Sequence, residues 1–338
     1  MHPETYTPLH LAAQNDHTDR AEKLLSQGAS IEAVDKDNDT PLHVAAWFGS
    51  IDIVDLLLWE DASVHAVNKS KNTPLHHAAR HGHTDIVELL LASGASIQTP
   101  GRGKNTPLHL AASGGHTAIV EILLEKGAST EAVTRSKDTP LHLAALNGHC
   151  STAELLLAQG ASVQATNEDG NAPLHLAAWS GHASMVEILL REGASIQAIG
   201  KASSTPLHYA VLNGHCCTVE LLLEKGASIN AVGLNHLTPL HLAAYYGHFS
   251  TVKLLLKKGA TVEPLDRYDN TPLHLAAKNV HAMTMGALGA KGASFDARNQ
   301  ACYTPLEEVR RAPDKREYAE PIIVGSHRRR YQYPMVRL

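Results

Sequence analysis

The sequence predicts an all-α solenoid, a curved stack of helix-turn-helix units joined by short loop hairpins. The motif Thr-Pro-Leu-His recurs every 33 residues, leucines at helical spacing follow it, and most units end in Gly-Ala-Ser. A constant period in this range is typical of repeat architectures, in which each unit buries its apolar face against its neighbours. The ten copies begin at Thr7, Thr40, Thr73, Thr106, Thr139, Ala172, Thr205, Thr238, Thr271 and Thr304.

The first element of each unit is a short helix, which the third repeat illustrates. Thr73 is a good N-cap, because its hydroxyl can accept a hydrogen bond from an unpaired amide of the first turn. Pro74 suits the first helical position, where a missing amide proton costs nothing. Ala78 and Ala79 keep the helix slim enough for close packing, and Gly82 ends it.

The second element is a longer helix that begins near Thr84 and ends near Gly94, where a left-handed residue is cheap. Residues 95–105 are polar and rich in turn formers, so we expect a projecting loop. Because the second helix is longer than the first, the stack should curve, with first helices and loops on the concave side. The apolar stripe of this second helix comprises Ile86, Val87, Leu89, Leu90 and Leu91.

Three of these features together resemble the ankyrin repeat: the Thr-Pro-Leu-His-Leu-Ala-Ala run, the Gly-His turn and the Leu-Leu…Gly-Ala-Ser ending. The Gly-His turn occurs, for example, at Gly82-His83 and Gly115-His116. The resemblance covers residues 1–311. It implies a curved solenoid that recognises proteins through its concave face and loop tips, and it implies no enzymatic activity.

Both ends of the array depart from the pattern. The first repeat is predicted to be a cap, because charged residues enter its second helix (Arg20, Glu22 and Lys23). In the ninth repeat Val280 replaces the turn glycine, and Gly286 and Gly289 fall inside the second helix, where glycine is unfavourable. Residues 312–338 are predicted to form a partial cap and a basic C-terminal tail.

Composition excludes several classes of function. The net charge of −5 gives no general attraction for a polyanion, and four cysteines are too few for a disulfide framework. No signal peptide is visible, and no run reaches the ~18 apolar residues of a spanning helix. We therefore expect an intracellular, cytoplasmic or nuclear, monomer with no membrane insertion.

The 23 histidines do not predict a metal or catalytic site. Nine of them are the fourth residue of the repeated motif and eight follow the turn, so architecture accounts for most. His77 and His81 are four residues apart on one helix, a spacing that can serve a metal, but neighbouring repeats supply no third ligand. Cys150 and Cys216 are two repeats apart, too far to share zinc. No nucleophile has a recurring base, so we predict no catalytic residues and no cofactor or small-molecule substrate.

Two positions at the end of each first helix vary freely between repeats, which predicts a binding surface there. The chain has three tryptophans, nine tyrosines and three phenylalanines, and five of these residues stand at the variable positions. Interface hot spots favour Trp, Tyr and Arg, although such rings can instead pack on neighbouring helices. The candidate residues are Trp47, Phe48, Arg80, His81, Trp179, Leu212, Tyr245 and Tyr246.

The loop tips add a second set of candidates. Asp35, Asp37 and Asp39 suggest an acidic second loop, whereas the next three loops are basic and would attract an acidic partner. The tail carries Arg328-Arg329-Arg330, a docking or import signal or simply a solvated end. The loop-tip candidates are Lys69, Lys71, Arg102, Lys104, Arg135, Lys137, His236 and Tyr268.

These observations together predict an interaction scaffold or adaptor that binds one or more proteins. One alternative is a nucleic-acid binder that uses the basic loops and tail, which the negative net charge disfavours. Another is the recognition module of a larger enzyme or channel. The partner and the pathway are not readable from the sequence.

Overall fold

The computed structural model describes residues 6–311, which form pairs of short antiparallel helices. Residues 312–338, where we predicted a partial cap and a basic tail, lie outside the described residues, as do Arg328, Arg329 and Arg330. Within 6–311 there is no β-strand, and no helix is long and apolar enough to cross a membrane.

The helices alternate between a shorter first helix and a second helix of nine residues (eight in α18), as predicted from the repeat. They are α1 (Pro8–Gln14), α2 (Thr18–Ser26), α3 (Pro41–Phe48), α4 (Ile51–Trp59), α5 (Pro74–His81), α6 (Thr84–Ala92), α7 (Pro107–Gly114), α8 (Thr117–Glu125), α9 (Pro140–Asn147), α10 (Cys150–Ala158), α11 (Pro173–Ser180), α12 (Ala183–Arg191), α13 (Pro206–Leu212), α14 (Cys216–Glu224), α15 (Pro239–Tyr245), α16 (Phe249–Lys257), α17 (Pro272–Lys278), α18 (Ala282–Gly289) and α19 (Pro305–Arg311).

The described residues divide into two compact units, residues 6–168 and 169–311. In the first unit the odd-numbered helices α1 to α9 pack side by side in one layer, and the even-numbered helices α2 to α10 pack in a second layer. In the second unit α11, α13, α15, α17 and α19 form one layer, and α12, α14, α16 and α18 form the other.

The core of each repeat is the seam between its two helices. Leu75, Ala78 and Ala79 of α5 are fully buried, as is Val87 of α6, whereas the charged side chains of α2 in the first repeat are exposed. Small alanines on the first helix let it approach its neighbours closely, so the leucines of adjacent repeats interlock at high density. The capping role of the first repeat stays a prediction, because charged residues on the second helices of later repeats, such as Glu88 and Glu121, are exposed as well.

Each loop is a short hairpin-like turn closed by one backbone hydrogen bond between residues four apart. The amide of Asn68 donates to the carbonyl of Asn72 at 3.0 Å, and Gly101 donates to Asn105 at 2.8 Å. Neighbouring loops are also joined directly, because the amide of Lys69 donates to the carbonyl of Asp37 at 2.8 Å. The loops therefore form ordered ribbons along each unit.

The second helix of the ninth repeat allows a stability prediction within one element. A Cβ at Gly286 would meet no atom within 4 Å, so Gly286→Ala should stabilise the protein by about 1 kcal/mol through helix propensity alone. A Cβ at Gly289 would lie 2.8 Å from Phe295 Cε2, so Gly289→Ala should give no gain. Urea unfolding of both variants measures the difference, and an equal gain at both positions would contradict the packing at Phe295.

Candidate protein-binding surface

Hydrogen bonds of the motif histidines join the starts of the first helices to the next loop. They explain why Thr-Pro-Leu-His recurs in the sequence. In the second repeat the amide of Thr40 donates to His43 Nδ1 at 3.2 Å, and the Thr40 hydroxyl lies 2.8 Å from the same nitrogen. His43 Nε2 then donates to the carbonyl of Asn72, in the next loop, at 3.0 Å. The structural role predicted for these histidines is thus confirmed, and it requires a neutral imidazole that accepts at Nδ1.

The histidines that follow the turns form a second set of hydrogen bonds, to main-chain carbonyls of the preceding repeat. His83 Nε2 donates to the carbonyl of Trp47 at 3.1 Å, and His116 Nε2 donates to that of Arg80 at 3.1 Å. In the second unit His281 Nε2 reaches the carbonyl of Tyr245 at 3.0 Å.

These bonds fix the backbone at the first of the two variable positions of the preceding repeat. The scaffold therefore contacts the main chain of this position and leaves its side chain free to differ between repeats. In the described repeats such contacts involve the carbonyls of Trp47, Arg80, Ser113, Trp179, Leu212 and Tyr245.

In the first unit the two candidate rings of α3 have different environments. Trp47 is half-buried, with its ring centroid 4.2 Å from that of His81 and 5.1 Å from that of His77 on α5. Phe48 is 42% exposed and is available to a partner. Arg80 and His81 are half-buried, and burial lowers the pKa of His81 to about 4, with the nearby Arg80 charge acting in the same direction.

A buried polar cluster beneath Trp47 was not recognised from the sequence. His77 Nε2 lies 3.3 Å from Asn68 Nδ2 and 3.6 Å from Asp39 Oδ1, and the Asn68 amide donates to Asp39 Oδ1 at 2.8 Å. The imidazole is thus engaged by two adjacent loops. No group of three His, Cys, Asp or Glu side chains in residues 6–311 is placed to hold a metal ion. The sequence signal was His77 itself, which stands where most repeats have leucine.

In the second unit the candidates again divide by exposure. Trp179 is half-buried against Tyr209, with ring centroids 5.9 Å apart, and Leu212 exposes only 5% of its surface. Tyr245 packs edge-on against Tyr246 at 4.9 Å, and Tyr246 remains 38% exposed. A partner would therefore meet mainly Tyr246 here, while Leu212 has little area to offer it.

The eight loop-tip candidates are all exposed. Six of them are cations on three consecutive loops of the first unit. The amide of Arg102 donates to Asn72 Oδ1 at 3.1 Å, and that of Arg135 donates to the Gly103 carbonyl at 2.7 Å, so the three loops are linked. We call these six the basic loop patch: Lys69, Lys71, Arg102, Lys104, Arg135 and Lys137. In the second unit His236 and Tyr268 are exposed, and the Arg267 guanidinium lies 5.2 Å from the Tyr268 ring centre.

The loop that the sequence suggested to be acidic presents less charge than its composition indicates. Asp35 and Asp39 are buried, and Asp35 Oδ1 accepts the backbone amides of Asp37 and Asp39 at 2.8 and 2.9 Å. The Asp35 carboxylate thus stabilises the turn, because an aspartate side chain readily replaces a missing main-chain acceptor in a tight loop, whereas the Asp39 carboxylate accepts from Asn68 of the next loop. Asp37 alone of the three is half-exposed.

Comparison with known proteins agrees with this architecture. The family model described as ankyrin repeats (3 copies) matches residues 1–68, 44–134, 97–167, 141–233 and 207–299. The chain belongs to the ankyrin repeat family. Ankyrin repeats are in general protein–protein interaction modules of a non-catalytic type.

Among solved structures, the human ASB11 ankyrin repeat domain is similar, with a TM-score of 0.61 and 27% sequence identity. The match covers 66% of this chain and 99% of that domain. Among curated proteins, none matches this ankyrin repeat chain at a significant level.

Proposed function

We propose that this ankyrin repeat protein is an adaptor that binds one or more partner proteins through the ends of its first helices and the tips of its loops. The observation that carries the proposal is the histidine bond to the main chain of the variable position. A surface whose backbone is fixed and whose side chains are free to vary is suited to recognition. At the adjacent second variable position the exposed rings of Phe48 and Tyr246 supply the large, rigid contact area that hot spots favour.

Each unit offers a surface of different chemistry. In the first unit Phe48 and the patch lysines Lys69 and Lys71 belong to the same repeat, a combination that favours a partner with an apolar anchor and acidic surroundings. In the second unit Tyr246 and Tyr268 present aromatic area with little charge of one sign. The proposal therefore includes two contact zones, which one long partner or two separate partners would occupy.

Nucleic acid is the second candidate partner, favoured only by the six cations of the basic loop patch. The net charge of −5 opposes a general attraction to phosphate. Binding to DNA or RNA would weaken steeply with salt, since each neutralised phosphate releases a counterion. An acidic protein that also engages Phe48 would retain apolar contacts at high salt.

The variant Phe48→Ala/Tyr246→Ala should lose its partners while remaining folded. Truncating a central aromatic hot spot costs about 2 kcal/mol or more, equivalent to at least a thirtyfold loss of affinity. Quantitative affinity capture from cell lysate, with native and variant chains compared by mass spectrometry, measures the loss. Circular dichroism verifies the fold of each chain.

The matched control is Ile51→Ala/Met283→Ala, because these apolar side chains are 36% and 67% exposed but lie on second helices, outside the first-helix ends and the loop tips. Proteins missing from the aromatic variant and present with the control identify partners of the proposed surface. Capture of the same proteins by all three chains would refute the role of the two rings.

A further inference from the structure

The outer helices of the eighth and ninth repeats enclose an apolar groove of about 600 Å³. It lies between α16 and α18, which pack side by side. Its apolar lining includes Phe249, Leu254, Met283 and Ala287, and the Met283 side chain is 67% exposed. The volume is within the range of sites that accept a large side chain or a small ligand.

Lysines surround this groove. Lys253, Lys257 and Lys291 all line it and are all exposed. None of the three forms an ion pair with another residue in the described part of the chain. The groove therefore combines an apolar interior with uncompensated positive charge, which favours an occupant with an apolar projection and carboxylates around it.

The charge at the groove reverses the pattern of the earlier repeats. One position of the second helix is an exposed acid in each of the first seven repeats, from Glu22 to Glu220, and becomes Lys253 in the eighth and Gly286 in the ninth. Gly286 also creates the space, since a Cβ there would meet no atom within 4 Å. Gly286, which the sequence marks as unfavourable inside a helix, thus lines a groove large enough to bind a side chain.

A complementary feature is present on α4 of the same protein. Trp59 is 85% exposed, the most exposed of the large hydrophobic residues in the described chain. Asp55 lies four residues earlier on the same helical face, and the exposed Asp52, Glu60 and Asp61 extend the acidic surroundings. None of these four acids has an ion-pair partner within residues 6–311. A solvent-exposed tryptophan in acidic surroundings is the occupant that the groove fits.

We propose that Trp59 of one copy inserts into the α16–α18 groove of a second copy, where Lys253, Lys257 and Lys291 face its acidic neighbours. The contact uses different surfaces on the two copies, so each bound copy leaves one tryptophan and one groove free. Such a heterologous contact adds further copies unless the ring closes. The protein then self-associates head to tail, in contrast to the monomer expected from the sequence.

Sedimentation equilibrium of the native chain tests the first consequence. The weight-average mass should rise between about 10 µM and about 1 mM and pass the mass of a dimer, as expected for a small, charged contact. Raising the salt concentration from 0.05 M to 0.5 M should weaken association, because exposed charge pairs are screened. A monomer at about 1 mM and low salt would overturn the proposal.

A complementation experiment tests the pairing itself. Trp59→Ala removes the projection and keeps the groove, whereas Gly286→Leu fills the groove and keeps the projection. Each variant alone should be monomeric, with at least tenfold weaker association than the native chain. An equimolar mixture should form a dimer and nothing larger, because only one tryptophan and one groove remain available.

Matched variants separate this contact from a general loss of structure. Gly286→Ala should keep self-association because a methyl group leaves most of the groove open. Lys291→Glu should weaken self-association, while Lys126→Glu, at the same position of the fourth repeat, should not. Thermal unfolding verifies that each chain is folded, and Lys253→Glu replaces Gly286→Leu if that variant is unfolded. Association that survives Trp59→Ala, or a mixture that stays monomeric, would overturn the pairing.

Discussion

Mild acid should unfold this protein: between pH 7.5 and pH 5 we expect the free energy of unfolding to fall steeply. The motif histidines His43, His76, His109 and His208 are responsible, because burial lowers the pKa of each to about 4. Their Nδ1 atoms accept the amide of the preceding N-cap threonine, at 3.2 Å for His109. A proton on Nδ1 would place two donors face to face.

The sign of the effect follows from the two states. In the unfolded chain a histidine has a pKa near 6.5, so it takes up a proton as the pH falls below that value. In the folded chain the same histidine stays neutral until about pH 4. Below pH 6.5 the unfolded state therefore binds more protons, and stability decreases with decreasing pH until the folded pKa is reached.

The size of the effect is large for a helical array. Each of the four histidines contributes a loss of roughly 2 kcal/mol between pH 7.5 and pH 5, or roughly 8 kcal/mol together if they act independently. A typical protein has only about 5–15 kcal/mol of total stability. The Nε2 bonds of these histidines reach the next loop, so protonation also weakens the interfaces on which a repeat array depends.

Urea unfolding followed by circular dichroism across this pH range measures the loss. Histidine ring signals in NMR spectra supply the control, since the rings of the four buried histidines should stay neutral above pH 5. Stability that stays constant down to pH 5 and falls only where carboxylates titrate would show that the motif histidines are not the cause.

The repeated part of the fold was predictable because its signals are local and occur many times. Thr73 and Pro74 begin α5, and Gly82 ends it at a φ of 82°, as the sequence predicts. Each of these residues acts within one turn of helix, so no knowledge of distant contacts is needed. Because the period is fixed, each repeat packs on its neighbour in the same way as the repeat before it.

The candidate site was less predictable because exposure there depends on the neighbouring repeat. Trp47 and Phe48 are adjacent in sequence, but Trp47 lies against His77 and His81 while Phe48 is exposed. For Trp47 the packing depends on the side chains 30 and 34 residues later, on the first helix of the next repeat. The burial of Asp39 follows the same logic, because its partners Asn68 and His77 belong to the second and third repeats.

Substituting a turn glycine should also lower the free energy of unfolding strongly. These glycines are needed for packing more than for their backbone conformation. Gly82 has a φ of 82°, and a Cβ there would lie 2.6 Å from His116 Cε1. Gly94, in the same repeat, has a φ of 87° but would meet nothing within 4 Å. Gly94→Ala should cost about 1 kcal/mol for the left-handed backbone, whereas Gly82→Ala should cost about 3–4 kcal/mol.

Two natural exceptions support this explanation. Asp16 and Val280 occupy the same turn position with φ values of 54° and 57°, so residues with a Cβ adopt this conformation here. In both cases the residue 34 positions later is not a histidine: Ser50 follows Asp16, and Asp314 follows Val280 in the sequence. A side chain is therefore accepted at the turn where no imidazole has to pack against it.

A double-mutant cycle separates clash from strain. In a His116→Ala background, Gly82→Ala should cost no more than Gly94→Ala, because the colliding imidazole is gone. An undiminished cost in that background would show that backbone strain alone makes the glycine necessary. Urea unfolding of the four chains provides the free energies. Because His116 also fixes the Arg80 carbonyl, Gly82→Ala should disturb the variable position as well. Gly82 thus supports the proposed binding surface indirectly, because it leaves room for the His116 ring that bonds the Arg80 carbonyl.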